Sequence, residues 1–448
     1  LAWAALTSGV ASLIARPVLR FAANAFDALQ IGILVGSFVG VLILFSVPVT
    51  LLGTVSPFAL RLALDDPAHA GRIAGTLSAV STLGSFIGTF LPVLVMIPVL
   101  GTTATFLSFS ALLMVVALSG LARAAGWRGV RGVLWMALLL LLLAVWQLGR
   151  PIKASVGQIY ERESAYNYIQ VIEDGDYRYL RLNEGQGVHS VWHPTALDYG
   201  GPWEQFLAAP FFNPDPVAPS AVQSLAVIGL AAGTVARQAT AIYGPIPIDG
   251  YEIDPAILQV GRDYFGLDAM PNVRTFAQDG RWGLAQSNRR YDLIVIDAYR
   301  PPYIPWHLTT QEFFAIVHDH LTPTGVLAIN IGRAPQDRRL IDALAATIGT
   351  LFPSIYVMDL PDTFNSILYA TVQPTQLEML YRNYLYLNTL PDVNPLLLTV
   401  IQRAIVYGQP PPDRSQARVF TDDHAPIEWI TNGLVLNYLL GGELENLQ

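Results

Sequence analysis

The sequence predicts an α-helical membrane region followed by an α/β domain, with a small antiparallel β-domain between the helices and a parallel sheet of nucleotide-binding type. Three observations predict this. Charge is unevenly divided: residues 1–149 hold 7 Lys+Arg and 3 Asp+Glu, and the remaining 299 hold 19 and 31, so net charge falls from +4 to −12. The first third carries long stretches almost free of charge. Residues 224–297 then repeat a strand-then-helix order with glycine or acid at each strand end.

The apolar stretches are Leu1–Ala15, Ala28–Leu52, Ile73–Leu100, Ala104–Leu121 and Val130–Leu148. Most approach the ~20 residues that cross a bilayer core, with Leu and Val on every face. About five membrane helices are expected over residues 1–149, the first one truncated, because the chain opens on Leu1 inside an apolar run. So many spans exclude a signal peptide. Ionisable residues are almost absent from these stretches, so anchoring is expected rather than transport. Positive charges near the helix ends tie, with Arg61, Arg72, Arg123, Arg128 and Arg131 on one side against Arg16, Arg20, Arg150, Lys153 and Arg162 on the other. The positive-inside rule therefore gives no orientation. A multi-pass protein of the cell membrane is expected, its soluble part in the cytoplasm where a nucleotide-like cosubstrate is found. The lipid bilayer is the first expected partner.

Residues 150–219 read as a linker and small β-domain. Pro151–Gly157 is the linker, and Ser164–Pro194 alternates aromatic or β-branched with polar residues, broken at Asp174-Gly175 and Glu184-Gly185. Trp203–Pro219 is a connection rich in Pro and Phe.

Residues 220–375 read as the nucleoside-binding domain. SLAVIGL, VRTFA and DLIVI (within 224–297) are short and apolar, as for strands buried on both faces. The loop AYRPPYIPWHL (298–308) is too rich in proline for helix or central strand. Thr309 and Glu312 form a capping box for a helix Gln311–Leu321. GVLAINI (325–331) is a fifth strand, Asp337–Phe352 a helix, and SIYVMDL and SILYATV a closing pair of strands. Residues 376–448 form a helical tail containing FTDDHAPIEWI (420–430). Its Asp422-Asp423-His424 cluster is expected to cap the last helix, with coordination of a cation as the alternative. The absence of cysteine removes disulfides and thiol chemistry. An acidic soluble part without a basic stripe argues against nucleic acid.

In open α/β sheets a ligand binds outside the carboxyl ends of the strands. Those ends carry Gly229, Glu252, Asp279 and Asp297. Gly229 and Gly233 let backbone approach a ligand and open a helix whose first N–H groups are expected to be free. Their spacing is not the dinucleotide fingerprint, and a plain tight turn is the bland alternative. Glu252, about 20 residues on, suits ribose hydroxyls. Asp279 with Gly280 suits an adenine amino group, or else caps a helix. Asp297 is placed to take a proton from an attacking amine, or else caps its loop. With no P-loop and no basic clamp, the ligand expected is an adenosine without phosphates, S-adenosylmethionine or a relative. His189 and His193 share a strand face without a third ligand, so no metal is expected.

The order of these motifs resembles the spermidine synthase (polyamine aminopropyltransferase) family over residues 164–372. The match is carried by YEIDP (251–255), QDGR (278–281), YDLIVID (291–297) and HLTTQEFF (307–314). The stretch GTLSAVSTLGSFIGTFLPVLVMIPVLG (75–101) and the tail TDDHAPIEW resemble the family's membrane-fused branch. The resemblance implies a methyltransferase-type Rossmann sheet after a small β-domain. It implies decarboxylated S-adenosylmethionine as cosubstrate, Glu252 on the ribose, Asp279 and Gly280 on the adenine, and Gln186 on the nucleoside. Asp297 would deprotonate or orient the amine acceptor.

Three departures accompany it. Ala232 stands where the family's glycine loop carries an aspartate, Arg300 replaces the second aspartate of the D-x-x-D-P segment, and TALDYGGPWEQF (195–206) replaces a polyamine-seating segment. Arg300 reverses the field met by a polycation; at ~4 Å and an effective dielectric near 20 a charge pair is worth ~4 kcal/mol. Arg300, Tyr299, Tyr303 and Trp306 are therefore expected to line a small-molecule acceptor that need not be a polyamine. Aminopropyl transfer, methyl transfer on the same fold, and a non-catalytic nucleoside-binding domain on a membrane scaffold all remain open. Self-association into a homo-oligomer is left open too.

Overall fold

The computed structural model describes the chain apart from residues 29–32, 65–68, 148–151, 153–154, 184–186, 299–303, 335–336, 415–416 and 441–448, and apart from the side chains of 16–17, 19–37 and 435–440. It divides into two compact units, residues 1–154 with 161–167, and residues 155–160 with 168–448.

The first unit is helical. Among the described residues three helical runs are long and apolar enough to cross a membrane by length and composition: Phe38–Ala63, Ala70–Leu100 and Thr102–Trp146. The stretches 104–121 and 130–148 fall in two helical arms of Thr102–Gln147, separated by a non-helical break at Gly126 (φ +60°). Glycine reaches that conformation without a Cβ clash. Both arms pack on the first helix, with Ala2, Ala5 and Leu6 buried against Met114, Ala117, Met136 and Leu140. Small residues permit the approach: a Cβ on Gly9 would meet Leu140 at 2.5 Å. The helix Ala70–Leu91 buries none of its residues, and Leu83 and Phe86 on it are more than 60% exposed.

A four-stranded sheet follows, of order β1 (Gln158–Glu163, whose last three residues count with the first unit), β2 (Tyr168–Asp174), β3 (Tyr177–Leu182) and β4 (Val188–Trp192). The pairs β2–β3 and β3–β4 are antiparallel. The large sheet contains β5 (Leu225–Ile228), β6 (Ile248–Glu252), β7 (Val273–Ala277), β8 (Tyr291–Ile296), β9 (Leu321–Gly332), β10 (Ser354–Asp359) and β11 (Asn365–Thr371). Its order is β10-β11-β9-β8-β5-β6-β7. The five strands β5 to β9 run parallel, and β10 and β11 close the sheet antiparallel. This is the mixed sheet of the methyltransferase-type Rossmann fold. The order reverses between β5 and β8, where such sheets open a crevice.

Alternate residues of each central strand feed opposite cores. Leu225, Val227, Leu293, Val295, Val326 and Ala328 pack toward Phe206, Phe211 and the helices Leu377–Leu387 and Pro395–Val406. Ala226, Ile228, Ile294, Ile296, Leu327 and Ile329 pack toward Leu284, Phe313, Phe314, Leu344 and Phe420.

Two sequence expectations are corrected here. VRTFA is not buried on both faces: β7 is the sheet edge, and the half-exposed Arg274 on it pairs across to Asp249 of β6. The cap of the next helix, Gln311–Asp319, is Thr310, whose hydroxyl accepts from Phe313 N. Glu312 closes no capping box, because its carboxylate accepts from Asp422 N.

Candidate active site

The turn after β5 reverses the chain within five residues by placing Gly229 (φ +85°), Ala231 (φ +49°) and Gly233 (φ +96°) in the left-handed region. A Cβ on Gly229 would lie 2.6 Å from the backbone of Asp297 and Ala298, so glycine lets the ends of β5 and β8 touch. The N–H groups of this turn are not free. Those of Gly229 and Leu230 donate to Tyr251 O, that of Ala231 to Glu252, that of Ala232 to Ser190 Oγ, and that of Gly233 to Leu230 O. A phosphate cradle needs unpaired N–H groups. This turn instead holds the carboxylate of Glu252.

Glu252 ends β6 only 8% exposed. Its Oε2 accepts from Ala231 N at 3.0 Å and its Oε1 from Asp254 N at 3.1 Å. Burial pushes its carboxyl up to about 7, against these donors. Asp279 follows β7 and caps the short helix Gly280–Ala285, accepting from Trp282 N at 2.9 Å through Oδ1. Its Oδ2 lies 2.8 Å from His307 Nε2. The hydrogen bond from His307 holds the Asp279 carboxyl below its usual range. Gly280 permits this helix start to sit on the end of β5, where a Cβ would meet Ile228 at 2.3 Å.

Asp297 follows β8, its N–H donating to Ile228 O at 2.8 Å. Its Oδ1 accepts from Asn330 Nδ2 at 2.9 Å. Burial pushes the Asp297 carboxyl up to about 7, and the Asn330 amide opposes the rise. Asn330 Oδ1 is buried without a hydrogen-bond partner among the described residues.

Gly229, Gly233, Glu252, Asp279, Gly280 and Asp297 thus stand on one side of the sheet, at the carboxyl ends of β5 to β8. Gln186, Tyr299, Arg300 and Tyr303 lie outside the described residues. Trp306 begins the short turn Trp306–Leu308, with its ring edge-on to His307 at 5.8 Å. That position puts it beside the partner of Asp279.

Asn330 and His307 were missed as site residues. Asn330 had a signal, a lone amide in the apolar run GVLAINI; His307 opens the motif HLTTQEFF, but its contact with Asp279, 28 residues away, is not written in either motif. The tail is also corrected. Asp422 does not cap the last helix but forms a bidentate pair with Arg281, at 2.7 and 2.6 Å, and accepts from the Thr310 hydroxyl. The residue after Gly280 is thereby fastened to the tail. His189 and His193 have separate surroundings. Burial pushes the His189 imidazole down to about 4, and His193 Nδ1 accepts from Ala196 N. No group of three or more His, Cys, Asp or Glu is placed to hold a metal among the described residues.

No family model matches the chain. A polyamine aminopropyltransferase of Vibrio vulnificus is 30% identical over 237 residues, 51% of this chain and 75% of that protein. The chain belongs to the polyamine aminopropyltransferase family. A probable polyamine aminopropyl transferase of Bifidobacterium longum is 33% identical over 283 residues. That match covers 60% of this chain and spans 61% of that relative's length. Among solved structures, a probable spermidine synthase from Corynebacterium glutamicum superposes with a TM-score of 0.47 at 19% identity, covering 60% of this chain and 97% of the other.

Proposed function

We propose that this member of the family is a membrane-anchored transferase that moves an aminopropyl or related group from a decarboxylated S-adenosylmethionine-like donor to an amine acceptor. The observation that carries the reading is Asp297, a carboxyl pushed up to about 7 by burial, oriented by Asn330 and touching the Gly229 turn. A base poised near the working pH is efficient at accepting a proton. In the proposed step the acceptor nitrogen attacks the propyl carbon bonded to the sulfonium. The C–S bond breaks, its electron pair stays on sulfur as the neutral thioether 5′-methylthioadenosine, and the nitrogen's proton passes to Asp297. Glu252 receives the ribose hydroxyls, Asp279 and Gly280 the adenine, and Gln186 the nucleoside from the β-domain.

The acceptor is a small molecule bearing an anionic group beside its amine. Arg300 supports this from its place in sequence, since a guanidinium fork suits carboxylate or phosphate. Tyr299, Tyr303 and Trp306 supply aromatic walls. No nucleic acid takes part, in keeping with the acidic second unit. The bare apolar surface of Ala70–Leu91 supports burial in lipid, and with the other long apolar helices it supports reading the protein as a multi-pass one of the cell membrane. The catalytic unit is cytoplasmic, where its donor is found, and self-association is compatible with this arrangement.

Methyl transfer is the second reading, favoured by Ala232, which is 1% exposed and puts no carboxylate in the glycine turn to grip a donor amine. Titration calorimetry of the detergent-solubilised chain separates the two. Tighter binding of decarboxylated S-adenosylmethionine than of S-adenosylmethionine supports the proposal; the reverse order supports methyl transfer. Binding of neither, nor of 5′-methylthioadenosine, leaves a non-catalytic domain.

A further inference from the structure

Both carboxylate oxygens of Asp279 are engaged, Oδ1 by Trp282 N and Oδ2 by His307 Nε2. His307 is itself fixed, since its carbonyl accepts from Arg281 Nη1 at 3.0 Å while Arg281 is clamped by Asp422. We propose that His307 is a positioning residue for nucleobase recognition: it orients Asp279 toward the base's exocyclic amino group, and its protonation weakens that acceptor. The proposal rests on the nucleoside reading above.

The chemistry follows from the two charge states of an imidazole, which changes charge between pH 5 and 8. A neutral His307 donates one N–H to Oδ2 and leaves the carboxylate its negative charge and its outer lone pairs. A protonated His307 makes a stronger, charge-assisted bond and neutralises that charge. Adenine, which presents an amino donor, then loses its advantage over hypoxanthine, which presents a carbonyl at the same place.

Arg281, Glu312 and Asp422 are the other charged groups packed about this corner. Arg281 holds the Asp422 carboxyl below its usual range, so that pair keeps its charges in this window. Glu252 and Asp297 titrate near 7. They face the ribose and the transfer position, so their effect cancels when two nucleosides differing only in the base are compared.

The test is the ratio of affinities for 5′-methylthioadenosine and 5′-methylthioinosine between pH 5.5 and 8, on the full chain in detergent. In the wild type the preference for adenine should grow about tenfold with rising pH, the scale of one charge-assisted hydrogen bond. His307→Gln, a neutral donor, should keep a preference that is flat in pH. His307→Ala should lose most of it throughout. A flat wild-type ratio, needing no variant, overturns the proposal while leaving nucleoside binding intact, as does a His307→Gln ratio that tracks the wild type. Binding of neither nucleoside at any pH overturns the nucleoside reading and this proposal with it.

Discussion

Asn330 Nδ2 donates to Asp297 Oδ1 over 2.9 Å, one step beyond the last paired residues of β8 and β9, Ile296 and Ile329. The amide favours the ionised carboxylate that burial disfavours. Only the ionised form takes a proton, so transfer should speed up as pH rises through about 7 and level off above it. Asn330→Ala removes the opposing donor, and the midpoint of the pH–rate profile of kcat/KM should move upward by about one unit. An unmoved midpoint would separate Asn330 from the base.

Asp297→Asn keeps the shape and removes the proposed proton acceptor. It should reduce kcat by about 100-fold or more while nucleoside affinity stays within about twofold. Retention of most of the activity in single-turnover assays would reduce Asp297 to a loop cap.

Glu252 supports the glycine turn and is proposed to receive the ribose, so two effects are expected from its loss. Glu252→Ala should weaken 5′-methylthioadenosine binding about tenfold or more and also destabilise the domain by ~1–3 kcal/mol, because the N–H groups of Ala231 and Asp254 lose their acceptor. Calorimetry and thermal melting read the two effects separately. Unchanged affinity in a destabilised variant would mean that Glu252 serves the turn alone.

The parallel strands and the acidic residues at their ends were legible because each strand is a short apolar run closed by a glycine or acid, a pattern written locally. What was not legible depends on residues distant in sequence. Asp279 and His307, Asp297 and Asn330, and Arg281 and Asp422 are brought together only by strand order and by the return of the tail. VRTFA looked like a buried strand because its composition does not say whether another strand lies beyond it.

Three carboxyls, Glu204, Glu252 and Asp297, are each pushed up to about 7, chiefly by burial. The folded chain therefore binds these protons more tightly than the unfolded chain does. Their contribution to stability is fully present below the unfolded values near 4 and is lost as pH rises through about 7. Asp198, Asp279 and Asp422 are shifted downward, so theirs is lost at still lower pH. Tm followed by tryptophan fluorescence should be higher at pH 5.5 than at pH 8, by ~5 °C or more. Equal values would mean that these groups are better solvated than the fold implies.

Aminopropyl transfer itself is tested most directly by the thioether product. The purified full chain in lipid nanodiscs is supplied with decarboxylated S-adenosylmethionine or S-adenosylmethionine and a panel of amines with and without an anionic group, and the nucleosides released are identified by mass spectrometry. The account predicts 5′-methylthioadenosine from the decarboxylated donor, fastest with an amine that also carries a carboxylate or phosphate, and none from Asp297→Asn. Release of S-adenosylhomocysteine from S-adenosylmethionine, with no 5′-methylthioadenosine from the decarboxylated donor, would contradict it.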